Sequence, residues 1–199
     1  IEKINGGSGY DITNPPTVEF EPEYKLDTPY GSGLRVTWNG NRYKSTNAGV
    51  SSVTAYPTHT AGIVAVGTIG WEYEGLSAAA KVNLTGSVTA INVTNGGSGY
   101  TTEPIVSVEG GGATSGNQAF ASAQITEGSV TGITIVNGGA GYTNVPTISI
   151  TGGNGNGATA VAVCRGPVDS IEITNVGSQY TYEPTISLVS GSGAVAYPS

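Results

Sequence analysis

The chain has 199 residues, of which 32 are glycine, with 37% hydrophobic and only 11% charged. A net charge of −7 on seven basic residues supplies no patch able to neutralise phosphate, which excludes nucleic acid as a partner and disfavours an anionic membrane. No apolar stretch approaches a membrane span, and the charge is too low for ordinary disorder, so the composition describes folded β structure with several thin cores.

The chain opens on an apolar run that breaks at Asn5-Gly-Gly-Ser-Gly-Tyr10 and resumes after Pro15 and Pro16. The same turn returns as Asn95-Gly-Gly-Ser-Gly-Tyr100, Asn137-Gly-Gly-Ala-Gly-Tyr142 and Asn175-Val-Gly-Ser-Gln-Tyr180, followed by Pro104, Pro146 and Pro184. The last three turns lie roughly forty residues apart and the first stands at about twice that distance, so one unit is repeated and a segment is inserted after its first copy. The expected organisation is repeat one at 1–37, an inserted module at 38–75, repeat two with its lead-in strand at 76–127, repeat three at 128–165 and an incomplete repeat four at 166–199. The chain has no methionine. Ile1 is therefore expected to be a processed end or the start of a portion, with more chain on at least one side.

Within a repeat, three strands are expected. The first, Val88-Thr-Ala-Ile-Asn-Val93, alternates apolar and polar residues in its later part, as a half-buried strand does, and its counterparts run from Val130 and Val168. The turn supplies Asn and Gly, which tolerate positive φ. A second strand follows each proline, at Ile105-Val-Ser-Val108, Thr147-Ile-Ser-Ile150 and Thr185-Ile-Ser-Leu188, because proline suits a strand start. The third is rich in alanine: Ala78-Ala-Ala-Lys-Val82, Ala119-Phe-Ala-Ser-Ala123 and Ala158-Thr-Ala-Val-Ala162. A face with so little side-chain volume is expected to let another sheet or a symmetry mate approach closely. The fold class expected is all-β: four repeated three-stranded units in an elongated array with a small inserted β module.

Tyr10, Tyr100, Tyr142 and Tyr180 are expected to be structural anchors whose rings cover the glycine turns and whose hydroxyls tie to backbone. The other reading is a row of exposed aromatics for stacking sugars. Gly6-Gly-Ser-Gly9 lacks the Gly-Lys-Ser/Thr and following helix of a phosphate loop. The period excludes calcium-binding nonapeptide repeats as well. Glu19, Glu21 and Glu23 alternate along one strand and read as a solvated face, with a weak calcium site as the alternative; no metal or cofactor is expected. Cys164 ends an alternating run and reads as a small core residue, and one cysteine permits no internal disulfide.

The inserted segment differs from the repeats. It holds both tryptophans and the only histidine, in Trp38-Asn-Gly-Asn-Arg-Tyr43-Lys-Ser-Thr-Asn-Ala-Gly49, Tyr56-Pro-Thr-His-Thr-Ala-Gly62 and Gly67-Thr-Ile-Gly-Trp71-Glu-Tyr73-Glu-Gly75. It reads as a separately folded side module, and exposed modules carry function more often than scaffolds do. His59 stands alone and reads as a turn hydrogen bond, not a metal ligand.

These motifs resemble known families. The Asn-Gly-Gly-Ser-Gly-Tyr-Thr-x-x-Pro unit resembles repeats of virion proteins of tailed bacteriophages, notably cyanophages. The segment from Arg42 to Gly75 is similar to a module recurrent in their structural and tail-fibre proteins, and distantly to chitin- and cellulose-binding modules of the type 5/12 class. The resemblance implies a carbohydrate platform at Tyr43, Trp71 and Tyr73, with Trp38 as an outside candidate; the alternative reading makes these aromatics the core of a module too small for any other. It also implies a non-enzymatic virion structural protein (fibre, decoration or tail-associated subunit) located in the virion. Such a protein is expected to be a homo-oligomer, with a trimer favoured and the alanine strands near the subunit contact. Its other expected partners are virion proteins and a cell-surface glycan. The second class is a carbohydrate-binding adhesin or extracellular filament subunit at a bacterial surface. The third is a polysaccharide depolymerase, which needs paired carboxylates in a groove.

Overall fold

A computed structural model describes residues 7–181, 183–184 and 186–189. Every regular element among them is a strand. In chain order these are β1 (Tyr10–Asp11), β2 (Thr17–Glu19), β3 (Pro29–Tyr30), β4 (Arg35–Trp38), β5 (Asn41–Ser45), β6 (Gly49–Val50), β7 (Ile63–Val66), β8 (Ile69–Leu76) and β9 (Ala79–Leu84). There follow β10 (Ser87–Ser98), β11 (Ile105–Glu109), β12 (Phe120–Thr126), β13 (Ser129–Asn137), β14 (Thr147–Thr151), β15 (Asn156–Gly166), β16 (Val168–Asn175) and β17 (Ser187–Val189). The protein is all-β, built of several small antiparallel sheets. Its described residues fall into two compact units, one from 7–16 and Val82–Ile171, the other from Thr17–Lys81 and Glu172–Val189.

In the first unit the two central repeats exchange strands. The first strand of each pairs with the alanine-rich third strand of the other, β10 with β15 and β13 with β12, while the second strands β11 and β14 pair with one another. Bulges interrupt both long ladders at matching places: Thr89 and Thr131 are skipped near the start, Thr94 and Val136 near the end. A bulge bends its strand and strengthens local twist, so both ladders curve at the same points.

The alanine face is used inside the unit. Ala119 and Ala162 are buried with Val88, Ile91, Val108, Cys164 and the ring of Tyr142. Ala123 is buried with Val130 and Tyr100. The small side chains make room for tyrosine rings of the same chain. The glycine loops serve the same end: a Cβ on Gly155 would run into the ring of Tyr100, and one on Gly111 would lie 2.7 Å from that of Tyr142. The third strand expected in repeat four lies outside the described residues, as does Thr185 in its second.

The second unit is organised around a four-stranded sheet in the order β4-β5-β8-β7. Asn39 and Gly40 both take positive φ (49° and 76°) between β4 and β5, the geometry of a two-residue hairpin turn. Gly67 (φ 72°) opens the equivalent turn between β7 and β8. Tyr24, Val36, Tyr43, Val66, Ile69 and Trp71 form the core, with Leu26, Tyr30, Trp38, Tyr56 and Tyr73 packed against it. This core begins well before position 38. Tyr24 donates its amide to the Thr37 carbonyl at 2.8 Å, and Thr37 donates to that of Pro22 at 2.9 Å. β4, most of which was expected within the first repeat, forms an outer strand of this sheet. β2 and β17, the second strands of the first and last repeats, pair as β11 and β14 do.

Candidate functional site

The expected carbohydrate platform is divided by the fold. β5 and β8 lie side by side, with Tyr43 opposite Tyr73 and Ser45 opposite Trp71. Tyr43 and Trp71 are both 0% exposed. Tyr24 and Tyr30 meet the Trp71 ring edge-on at 5.4 and 5.2 Å between centroids. Tyr43 donates its hydroxyl to the His59 carbonyl at 3.0 Å, and His59 Nε2 lies 2.8 Å from the Trp71 carbonyl. Burial pushes the phenols of Tyr43 and Tyr24 above their usual range. A sugar ring cannot reach Tyr43 or Trp71, so these two are the core of the module and not a stacking surface. Tyr73, half-buried, meets Tyr43 edge-on at 6.0 Å.

Trp38 is placed differently. It is half-buried, its ring lies flat on that of Tyr56 at 3.9 Å with a 7° tilt, and it borders an open cleft. The cleft has a volume of about 250 Å³ and lies wholly within the second unit. Glu19, Phe20, Glu21 and Glu23 line it with Val18, Thr37, Trp38, Asn39 and Gly40, and Ser77 and Ala78 complete the lining.

The three glutamates part company here. Glu21 is buried and pairs with Nε of Arg42 at 3.3 Å. Glu19 is half-buried and Glu23 exposed, and neither makes an ion pair among the described residues. The alternation that suggested one solvated face is therefore divided by a buried cation. No group of three His, Cys, Asp or Glu side chains converges on a metal position among the described residues.

Arg42 is the least expected residue. It is fully buried, and besides Glu21 it reaches Glu74 at 3.4 Å and donates to the carbonyls of Glu74 and Ser178, each at 3.1 Å. Glu74 also takes Nε of Arg35 at 2.8 Å. A buried charge persists only when paired and hydrogen-bonded, and here every partner is a fixed part of the fold. The Asn39-Gly40 dipeptide between two alternating runs was the available signal for this hairpin; nothing in sequence marked Arg42 as its buried residue.

The turn tyrosines behave as anchors. The hydroxyl of Tyr142 accepts the Ala119 amide at 2.8 Å, that of Tyr100 the Ala158 amide at 3.3 Å, and that of Tyr180 the Ala78 amide at 2.8 Å. Each ties its glycine turn to the start of an alanine-rich strand from another repeat. Tyr10 is equally buried, and its hydroxyl has no partner among the described residues. Behind the last three turns the Asn side chain accepts the amide two residues on, at Asn95, Asn137 and Asn175.

No known protein family, curated protein or solved structure matches this chain.

Proposed function

We propose that the protein is a non-enzymatic structural component of a tailed-phage virion, a fibre, decoration or tail-associated subunit, with four repeats forming an array and a glycan-contacting module inserted after the first. The observation that carries this reading is the reciprocal exchange of strands between repeats, fixed by one tyrosine anchor per turn. A chain that commits its glycines, alanines and tyrosines to one recurring joint is making a scaffold, and the interlocked pairing resists separation of the repeats. The homo-oligomer reading, with a trimer favoured, is supported by Ile105, Phe120 and Val136, which stand exposed on the four-stranded sheet of the first unit.

The second reading, a carbohydrate-binding adhesin at a bacterial surface, is favoured by the cleft that Trp38 helps to line together with Thr37, Asn39 and Ser77. Both readings move the expected sugar contact from Trp71 to Trp38.

The test is where the chain is found. Purified particles of the phage encoding it should contain it at a fixed copy number, and gold-labelled antibody should mark one location on each particle. Recovery only from the surface fraction of uninfected cells would instead support the adhesin.

A further inference from the structure

Three of the four turn tyrosines make the same bond. The hydroxyls of Tyr100, Tyr142 and Tyr180 accept the amides of Ala158, Ala119 and Ala78, and each of these alanines opens an Ala-x-Ala run. Tyr10 stands on an equivalent turn. Gly7 and Gly9 take φ of 66° and 78°, against 62° and 80° at Gly97 and Gly99 and 65° and 83° at Gly139 and Gly141. The Tyr10 side chain is 1% exposed, yet its hydroxyl has no partner among the described residues. A buried hydroxyl left unbonded is costly, and the other turns show what completes it: a strand that opens on Ala-x-Ala.

The fourth repeat has such a run at the corresponding place, Ala194-Val-Ala196, outside the described residues. The approach to it is short. Ser107 of the second strand lies 12 positions before Ala119, and Ser149 lies 9 before Ala158, whereas Ser187 lies 7 before Ala194. A connection too short to return a strand to its own chain favours handing that strand to a neighbour, which is how domain swapping arises.

We propose that the Tyr10 turn is a docking site between copies of this chain, at which the Tyr10 hydroxyl accepts the amide of Ala194 of a second copy. The contact repeats between chains the joint that holds repeats together within one. The inference rests on the homo-oligomer reading above and names its contact. Failure of association leaves the particle-composition test unaffected, because a chain can occupy a particle without touching its own copies.

The experiment follows the full chain by sedimentation velocity from about 1 to about 100 µM, where contacts of modest affinity assemble. Concentration-dependent association is expected. Tyr10→Phe should weaken it about tenfold and leave the melting temperature of the dilute chain unchanged, since the separate chain gives that hydroxyl no bond among the described residues. Ala194→Pro removes the donor amide and should weaken association at least as much. Inserting Ser-Gly after Val189 restores the 9 positions of the third repeat and should return the protein to a monomer. Tyr142→Phe is the control, lowering stability through Ala119 while leaving association as it was. A monomer throughout the range, or association undiminished in both Tyr10→Phe and Ala194→Pro, would overturn the proposal. A monomer that Tyr10→Phe makes less stable to heat would overturn it too, giving the turn to Ala194 of its own chain.

Discussion

The guanidinium carbon of Arg42 lies 3.8 Å from the centre of the Tyr180 ring. One residue belongs to the inserted module and the other to the turn of the fourth repeat, so two sequence patterns that share nothing meet in one buried contact. The same turn provides the Ser178 carbonyl to Arg42 and the Tyr180 hydroxyl to the Ala78 amide. The segment expected as a separately folded side module is therefore tied to the repeat turn by its own charge.

Arg42→Met is expected to destabilise the second unit by ~3–5 kcal/mol, because the buried Glu21 would lose its guanidinium partner. Arg42→Lys should rescue little, since one ammonium cannot reach two carboxylates and two carbonyls in the directions a guanidinium does. Urea midpoints of the three proteins provide the measurement. A loss under about 1 kcal/mol for Arg42→Met would refute the view that the buried pair depends on its guanidinium.

The anchors should differ in what their hydroxyls contribute. Tyr142→Phe leaves the buried Ala119 amide without an acceptor and is expected to cost ~1–3 kcal/mol. Tyr10→Phe removes a hydroxyl with no partner among the described residues and should be close to neutral. Thermal unfolding of the pair settles it: equal losses would show that the hydroxyl bond is not what distinguishes them.

Much of this was legible in the sequence, because the repeat constrains itself. A turn that recurs with its tyrosine, its asparagine and its following proline identifies strands, and β10 to β15 include the runs the alternation marked, although β10 continues through Asn95 to Ser98, expected as turn. Which strand pairs with which was not legible. A third strand paired within its own repeat would give the same alternation as one exchanged with its neighbour, and only the tyrosine contacts distinguish the two. The module was misjudged for a related reason. Tyr24 and Val36 precede the tryptophans that marked it and read as repeat, yet they complete its core. The resemblance to carbohydrate-binding modules implied a sugar platform at Tyr43 and Trp71, but a sheet this small needs those rings inside, and no pattern of residues reports burial.

Trp71→Ala and Trp38→Ala should therefore separate stability from recognition. Trp71 has no exposed surface, and its loss should cost ~3–5 kcal/mol and melt the module early. Trp38 is only half-buried, and its loss should cost less while removing a partly exposed aromatic side chain at the edge of the core. Comparing melting curves with sugar binding for both variants checks this, and the reverse order of stability losses would refute it.

Cys164 gives the fold an alkaline limit. Burial pushes its thiol up to about 11 from 9.0, and the carboxylate of Asp11 adds to the shift. Asp11 itself is held below its usual range, first by the Thr13 hydroxyl and amide that bond it. A thiol that ionises later in the folded state than in the unfolded one stabilises the fold fully below about pH 9, and that contribution is lost as the pH climbs through about 11. The raised phenols of Tyr24 and Tyr43 act in the same direction. Urea midpoints of the wild type should fall across this window, and those of Cys164→Ala should fall less steeply from a lower starting value. The native thiol should also resist a disulfide reagent at pH 8 and react at once in urea, since the thiolate is the reactive form and the folded chain keeps it scarce. Rapid labelling of the folded protein at pH 8, together with parallel slopes for the two proteins, would place Cys164 outside the core that the β10–β15 ladder encloses.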